Sequence, residues 1–220
     1  MLFSASLACA NYLNLENDIQ CLIDGGIGMI HLDVMDGHYV PNLSLNFDII
    51  RSIKEKFPFL KLDVHLMVTN PMDYIKPMAQ INADYLTFHH NATHFSYRVI
   101  SAIKDAGMKA GIAINPSEPL CMIEPVIDVL DMVLLMSIEP GFAGQQFLPL
   151  TYSKILSLSQ KKEKNSLDLI INVDGGINID NGIRCKHAGA NCLVLGVFAV
   201  FNQPQGITQA CRDFIFAIQK

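Results

Sequence analysis

The sequence predicts one α/β domain, a (β/α)8 TIM barrel over residues 1–220, and three observations predict it. Short β-branched or aliphatic runs alternate with longer helix-period segments, eight times in all. Hydrophobic residues make up 50% of the chain and charged ones only 17%, so one sizeable core has to be buried. The strands read as continuous apolar runs, the pattern of a parallel sheet covered by helices. Eight βα units in so short a chain favour closure into a barrel over an open doubly wound sheet.

The elements follow in order. A strand at 3–9 leads to a helix at 14–25, which stops at Gly25-Gly26. A strand at 28–35 precedes a helix at 47–56, and a strand at 60–67 precedes a helix at 71–81 that opens on Pro71. A strand at 84–88 is followed by a helix at 95–106, stopped by Gly107. Then come 109–114 with a helix at 119–128 opened by Pro119, and 131–137 with a helix at 147–162. The strand at 169–174 leads to a helix at 179–188, capped by Asn178 and ended by Gly189. The last pair is 192–196 and 206–219. Glycine is the least strained residue where a helix end needs positive φ, and proline or asparagine suits a start whose N–H groups lack helical partners.

Composition excludes several roles. The formal net charge is -5, and no run of Lys and Arg is interleaved with aromatics, so nucleic acid is not an expected partner. The longest wholly apolar stretches, such as Met132 to Met136, fall far short of the roughly 18 residues a membrane span needs. The segment Met1 to Leu15 has no basic leader and reads as the start of the fold rather than a signal peptide. The cysteines, at 9, 21, 121, 185, 192 and 211, form no Cys-x-x-Cys pair and read as reduced thiols of a cytoplasmic protein.

The informative anomalies are ionisable residues in core strands. Strand alternation puts His31, Asp33 and Met35 on one face of 28–35, Asp63, His65 and Met67 on one face of 60–67, and Asn172 with Asp174 on one face of 169–174. Buried carboxylates and imidazoles have to be paired, metal-bound or at a solvated mouth. His31, Asp33, His65 and Asp174 fall near strand C-termini, where barrels of this class carry their active sites. Two imidazoles and two carboxylates make an N/O site for zinc, iron(II), manganese or cobalt. Met35, Met67 and Met136 end strands on the inward face and suggest a water-poor wall beside that cluster.

Glycine-rich turns form a second constellation: Glu139-Pro140-Gly141-Phe142-Ala143-Gly144-Gln145, then Asp174-Gly175-Gly176, then Gly196. Glycines let backbone N–H groups approach an anion, and the last βα loops of such barrels often hold phosphate. His89, His90 and His94 look like a metal cluster, but neighbouring histidines point to different faces. We read them as structural, with one of them at the mouth.

These residues resemble the ribulose-phosphate 3-epimerase family from about Ser4 to Phe201. The matching stretches are His31-Leu32-Asp33-Val34-Met35-Asp36-Gly37-His38-Tyr39-Val40-Pro41-Asn42, Asp63-Val64-His65-Leu66-Met67-Val68, Met136-Ser137-Ile138-Glu139-Pro140-Gly141-Phe142-Ala143-Gly144-Gln145 and Val173-Asp174-Gly175-Gly176. The resemblance implies one divalent metal on His31, Asp33, His65 and Asp174, zinc first, with iron(II), manganese(II) or cobalt(II) as alternatives. It implies that Asp33 and Asp174 are the acid/base pair and that Ser6 contacts a phosphorylated ketose. It also implies a homo-oligomer, dimer or hexamer. The expected activity is interconversion of D-ribulose 5-phosphate and D-xylulose 5-phosphate. Inverting a carbon next to a ketone takes a proton from one face and returns one to the other, which two flanking carboxylates can do.

The chain departs from the family pattern at Asn46, where many members carry glycine, at Asn91, where a glutamate is usual, and at Val197, where a serine is common. Cys9 and Asn11 likewise replace a Ser and an Asp. Backbone N–H groups at Gly196 and Val197 can still bind phosphate. The segments Pro41-Asn42-Leu43-Ser44-Leu45 and Gly141-Phe142-Ala143-Gly144-Gln145 look closer to the D-allulose 6-phosphate 3-epimerase branch, which acts on a sugar one carbon longer. A related decarboxylase group carries Asp-x-Lys-x-x-Asp, but Asp33-Val34-Met35-Asp36 has no lysine. A barrel that binds a phosphosugar without turnover is the alternative from another class. A zinc hydrolase fits less well, because the four ligands leave no extra general base.

Overall fold

The computed structural model describes residues 1–220. Eight parallel strands close into a barrel in chain order: β1 Leu2–Ser6, β2 Met29–Met35, β3 Lys61–Met67, β4 Tyr85–His89, β5 Lys109–Ile114, β6 Met132–Met136, β7 Ile170–Asp174 and β8 Cys192–Leu195. Seven α-helices lie outside: α1 Leu15–Asp24, α2 Phe47–Lys56, α3 Met72–Ile81, α4 Ser96–Asp105, α5 Leu150–Lys164, α6 Ile179–Ala188 and α7 Ile207–Gln219. No helix is long and apolar enough to cross a membrane.

Two expected elements differ. Residues 119–128 read as a helix from their apolar run, but Leu120–Val129 forms 3-10 turns. Pro125 has no N–H and its ring clashes with the preceding turn, so i to i+3 bonds such as Leu130 N–H to Ile127 O take over. The first strand ends at Ser6 rather than Cys9, because Leu7–Cys9 turns sharply and Ala10 N–H bonds Leu7 O. That turn carries Cys9 to the barrel mouth.

Alternation gives each strand two jobs. Ile30, Leu32 and Val34 of β2, Leu62, Val64 and Leu66 of β3, and Ile171 and Val173 of β7 join the core between sheet and helices. Their neighbours point into the barrel. Met29, Tyr85, Met132 and Cys192, from alternate strands, close its lower end, as expected of layered barrel packing. Above them the interior is polar, with buried Ser4, His31, Asp63, His65, Thr87 and Asn172.

Caps hold the frame to the sequence. Asn46 accepts from Ile49 N–H at 3.0 Å and so starts α2, which accounts for the side chain at that departure from the family pattern. Asn178 accepts from Asn181 N–H at 2.8 Å, and Gly189 ends α6 at a φ of 108°. Inside the barrel, Gly111 has no room for a methyl group, since a Cβ there would lie 2.2 Å from Thr87 Oγ1. Gly111→Ala is therefore expected to destabilise the fold by roughly 1–3 kcal/mol, read as a lowered thermal midpoint. An unchanged midpoint would show that the interior is looser than it looks.

Candidate active site

Register brings the anomalous strand residues together. β2 and β3 pair so that Asp33 stands beside His65 and His31 beside Asp63, while Ser6 of β1 stands beside His31 and Asp174 of β7 beside Met136. One nitrogen each from His31 and His65 and one oxygen each from Asp33 and Asp174 lie within 4.8 Å of one another. His31 Nε2 is 3.4 Å from Asp33 Oδ1, 3.7 Å from Asp174 Oδ2 and 3.4 Å from His65 Nδ1. His65 Nδ1 is 3.2 Å from Asp33 Oδ1 and 3.8 Å from Asp174 Oδ2.

These four donors fit a divalent cation. Bonds of about 2.0–2.2 Å in a tetrahedral site place donors roughly 3.3–3.6 Å apart, close to the spacings that the two imidazoles make with each other and with the two carboxylates. Both imidazoles are fully buried, and each aims a nitrogen at two carboxylates. The opposite edge of His31 is fixed from behind, Nδ1 lying 2.8 Å from Asp63 Oδ2. A carboxylate there selects the tautomer whose Nε2 lone pair faces the cluster. Asp33 is held on its other oxygen by Ser6 Oγ, which donates at 2.6 Å. Asp174 is set by its backbone: Ser137 N–H and Oγ both donate to Asp174 O at 2.8 Å, and Oγ also reaches Gly175 O at 2.6 Å.

The protein's own groups split the two carboxylates. Burial works to raise the Asp33 pKa, but the charges and hydrogen bonds of His31 and His65 hold it below the usual carboxylate range. Burial raises Asp174 as well, and with the Asp33 charge opposing ionisation its pKa reaches about 6 despite the attraction of His31. Burial depresses His31, yet Asp33 and Asp63 outweigh it and leave that imidazole well above its ordinary value. A cation entering the cluster therefore has to displace protons. Since Asp174 is protonated below about pH 6 and His31 has to give up a proton as well, the apparent affinity for a divalent cation is expected to fall at least ~10-fold from pH 7 to pH 5. Cation titrations at the two pH values check this, and equal affinities would contradict it.

The cluster opens into one pocket at the C-terminal ends of the strands. Asp33 and Asp174 reach it, as do Ser6 and the three methionines Met35, Met67 and Met136. Gly141, Gly144, Gly175, Gly176, Gly196 and Val197 form the other side. The pocket lining contains no lysine or arginine, so an anion bound there would rely on backbone N–H groups. Gly176 needs to be glycine: at a φ of 62°, a Cβ would come within 2.5 Å of Phe147 N. Cys9 also lines the pocket, its thiol pushed up to about 11 by burial and the Asp33 charge.

Sequence reasoning left two supporting residues without a role. Asp63 was placed on the inner face with His65, but its partnership with His31 depends on cross-strand register. His89 reads from the sequence as structural together with His90 and His94, one of the three at the mouth. It is fully buried with its Nε2 2.8 Å from His65 Nε2, whereas His90 is half-buried and His94 exposed. The alternation Tyr85, Thr87, His89 along β4 was the signal that sets it inward.

Comparison with known proteins gives a consistent picture. A family model described as the ribulose-phosphate 3-epimerase family matches residues 2–201. A ribulose-phosphate 3-epimerase of Bacillus subtilis is 42% identical over 199 residues, covering 90% of this chain and 91% of the relative. One from Escherichia coli K12 is 38% identical over 204 residues, covering 92% and 90%. Among solved structures, 3-hexulose-6-phosphate synthase from Salmonella typhimurium superposes with a TM-score of 0.75 at 15% identity, covering 99% of this chain and 100% of that one. Phosphoribosyl anthranilate isomerase from Thermotoga maritima gives 0.69 at 13%, covering 100% and 99%. At those identities the structures share the barrel fold and nothing finer.

Proposed function

The chain belongs to the ribulose-phosphate 3-epimerase family, and from that membership and the geometry of the cluster we propose how it acts as one. It is an isomerase that interconverts D-ribulose 5-phosphate and D-xylulose 5-phosphate. The observation that carries the mechanism is the pair of carboxylates, Asp33 and Asp174, converging with His31 and His65 at the mouth of one pocket.

Asp33 and Asp174 are the acid/base pair. One takes the C3 proton from one face of the ketose, and the other returns a proton to the opposite face, the roles exchanging in the reverse direction. Their unequal environments suit such a division, Asp33 being the readier anion and Asp174 the readier acid. Ser6 holds Asp33 by Oδ2, with Oδ1 turned to the two imidazoles, and so fixes the orientation of the carboxylate. A divalent cation held by His31, Asp33, His65 and Asp174 would supply electrophilic stabilisation of the negative charge that builds on substrate oxygen as the proton leaves. Zinc suits two nitrogens and two carboxylate oxygens, and iron(II), manganese(II) and cobalt(II) suit them as well.

Met35, Met67 and Met136 face the reacting carbon with apolar surface and keep water from a basic intermediate. The substrate phosphate lies against the backbone of Gly144, Gly175, Gly176, Gly196 and Val197, with Gly141 shaping the approach. The whole chain acts as one domain, in the cytoplasm, where its six unpaired cysteines would stay reduced. A homo-oligomer, dimer or hexamer, belongs to the same reading, and exposed apolar side chains such as Leu13 and Phe59 leave surface for a subunit contact.

The test is an assay of the zinc-loaded protein on D-ribulose 5-phosphate and D-allulose 6-phosphate side by side. The pentose phosphate is expected to turn over at least ~10-fold more efficiently, because the curated relatives are pentose-phosphate enzymes. Faster turnover of the hexose phosphate would reverse the substrate assignment. Cation binding with no turnover of either would reduce the protein to a phosphosugar-binding barrel.

A further inference from the structure

The glycine turns at the far side of the pocket are gripped from behind. A trans peptide is planar, with its C=O and N–H pointing in opposite directions, so whatever holds the carbonyl of one residue aims the N–H of the next. The chain has no cis peptide bond. After β7, Ser137 Oγ donates to Asp174 O at 2.8 Å and to Gly175 O at 2.6 Å, and Asn181 Nδ2 donates to Gly176 O at 2.9 Å. After β8, Gln203 Nε2 donates to Val197 O at 3.0 Å. Ser137, Asn181 and Gln203 all stand outside the pocket lining. The residues that follow the gripped carbonyls, namely Gly175, Gly176, Ile177 and Phe198, all belong to it. The N–H groups of these four donate to no backbone acceptor.

Both amides can sit only one way round. Gly176 O accepts and cannot donate, so Asn181 turns Nδ2 to it and leaves Oδ1 for Tyr152 Oη, which donates at 2.8 Å. The Phe147 ring and the Arg184 guanidinium pack on Tyr152, 4.8 and 4.0 Å from its ring centre. The backbone of Asn181 is fixed as well, its N–H donating to Asn178 Oδ1 at 2.8 Å. Gln203 faces two carbonyls, Val197 O and, at 3.4 Å, Phe201 O, and this likewise assigns its nitrogen.

We infer that Asn181 and Gln203 are positioning residues for the substrate phosphate. Asn181 aims the N–H of Ile177 and Gln203 that of Phe198, each from behind the pocket and without touching the ligand. The inference rests on the phosphate site proposed above and adds these two N–H groups to it. Aim matters here because the lining has no lysine or arginine, and because valine at 197, where a serine is common, leaves that loop only backbone donors. The phosphate is remote from C3, so the grip is equal before and during proton transfer and acts on KM rather than kcat.

Asn181→Leu and Gln203→Met keep the size of each side chain, add no charge and remove the donor. Each is expected to raise KM for D-ribulose 5-phosphate and the inhibition constant of inorganic phosphate by about 10-fold, with kcat within about threefold of wild type. Amide NMR of the wild type titrated with inorganic phosphate should show downfield shifts at Gly175, Gly176, Ile177 and Phe198. Asn181→Leu should lose the Ile177 shift, and Gln203→Met the Phe198 shift. Melting curves confirm that each variant is folded, and Asn181→Asp, of the same shape, replaces Asn181→Leu if that variant does not fold. A purely structural pair would lower the melting midpoint and leave both constants where they were, which overturns the positioning role. So would phosphate shifts at Gly175 and Gly176 without any at Ile177 and Phe198, since the site would then stand without the two added donors. No phosphate shift at any of the four in the wild type overturns the phosphate site itself.

Discussion

Asp33→Asn and Asp174→Asn are each expected to cut turnover of D-ribulose 5-phosphate by at least ~1,000-fold. General acid or base catalysis by one positioned group contributes roughly 10²–10⁴, and each carboxylate also stands in the cluster that could hold a cation, so the losses would compound. Asparagine keeps the volume and one oxygen, so the Ser6 bond to residue 33 and the backbone bonds that place residue 174 can survive. The two variants should nonetheless fail differently. Each retains one carboxylate, facing one side of C3. Asp33→Asn should therefore still exchange the C3 hydrogen of one epimer with solvent, and Asp174→Asn that of the other. Retention of turnover within tenfold of wild type by either variant would remove that carboxylate from the chemistry.

The second large effect is loss of divalent cation. Dialysis against a strong chelator is expected to lower kcat/KM by at least ~100-fold while the protein stays folded. Electrophilic stabilisation at such a site is worth several kcal/mol, and each 1.4 kcal/mol is a factor of ten. The barrel frame does not depend on the four donors, since the core between sheet and helices is a separate apolar cluster of 52 buried residues. Activity should return on adding Zn2+, Mn2+, Co2+ or Fe2+, to different degrees. Full activity after exhaustive chelation, verified by elemental analysis, would show that the carboxylates work without a cation. Asp63→Asn offers a graded version. It keeps the shape of the support behind His31 but removes its charge, so it should weaken cation binding by about 10- to 100-fold without touching the pocket.

The barrel and the four residues that converge at its mouth were legible in the sequence, and the reason is period. Alternation along β2, β3 and β7 sorts His31, Asp33, His65 and Asp174 from the aliphatic residues between them, and no tertiary information is needed for that step. The glycine turns were legible for a similar reason, because positive φ at Gly175 and Gly176 admits few other residues. What the sequence hid depends on which strands touch. Asp63 and His65 share a face of β3, and only the register with β2 makes one a support for His31 and places the other in the cluster with Asp33 and Asp174. His89 was masked by its neighbours His90 and His94, since adjacent histidines point to different faces and do not by themselves say which one turns inward. The 3-10 segment at Leu120–Val129 was masked by its own hydrophobicity, which keeps a helical period that Pro125 prevents the backbone from using.

The most direct test of proton transfer between two carboxylates is to run the reaction on D-ribulose 5-phosphate in D2O and follow C3 by NMR. The expected result is D-xylulose 5-phosphate carrying one deuterium at C3, formed by the wild type and lost in Asp33→Asn and Asp174→Asn. Epimerisation with the original hydrogen retained at C3 would contradict it, as would no epimerisation by the zinc-loaded protein.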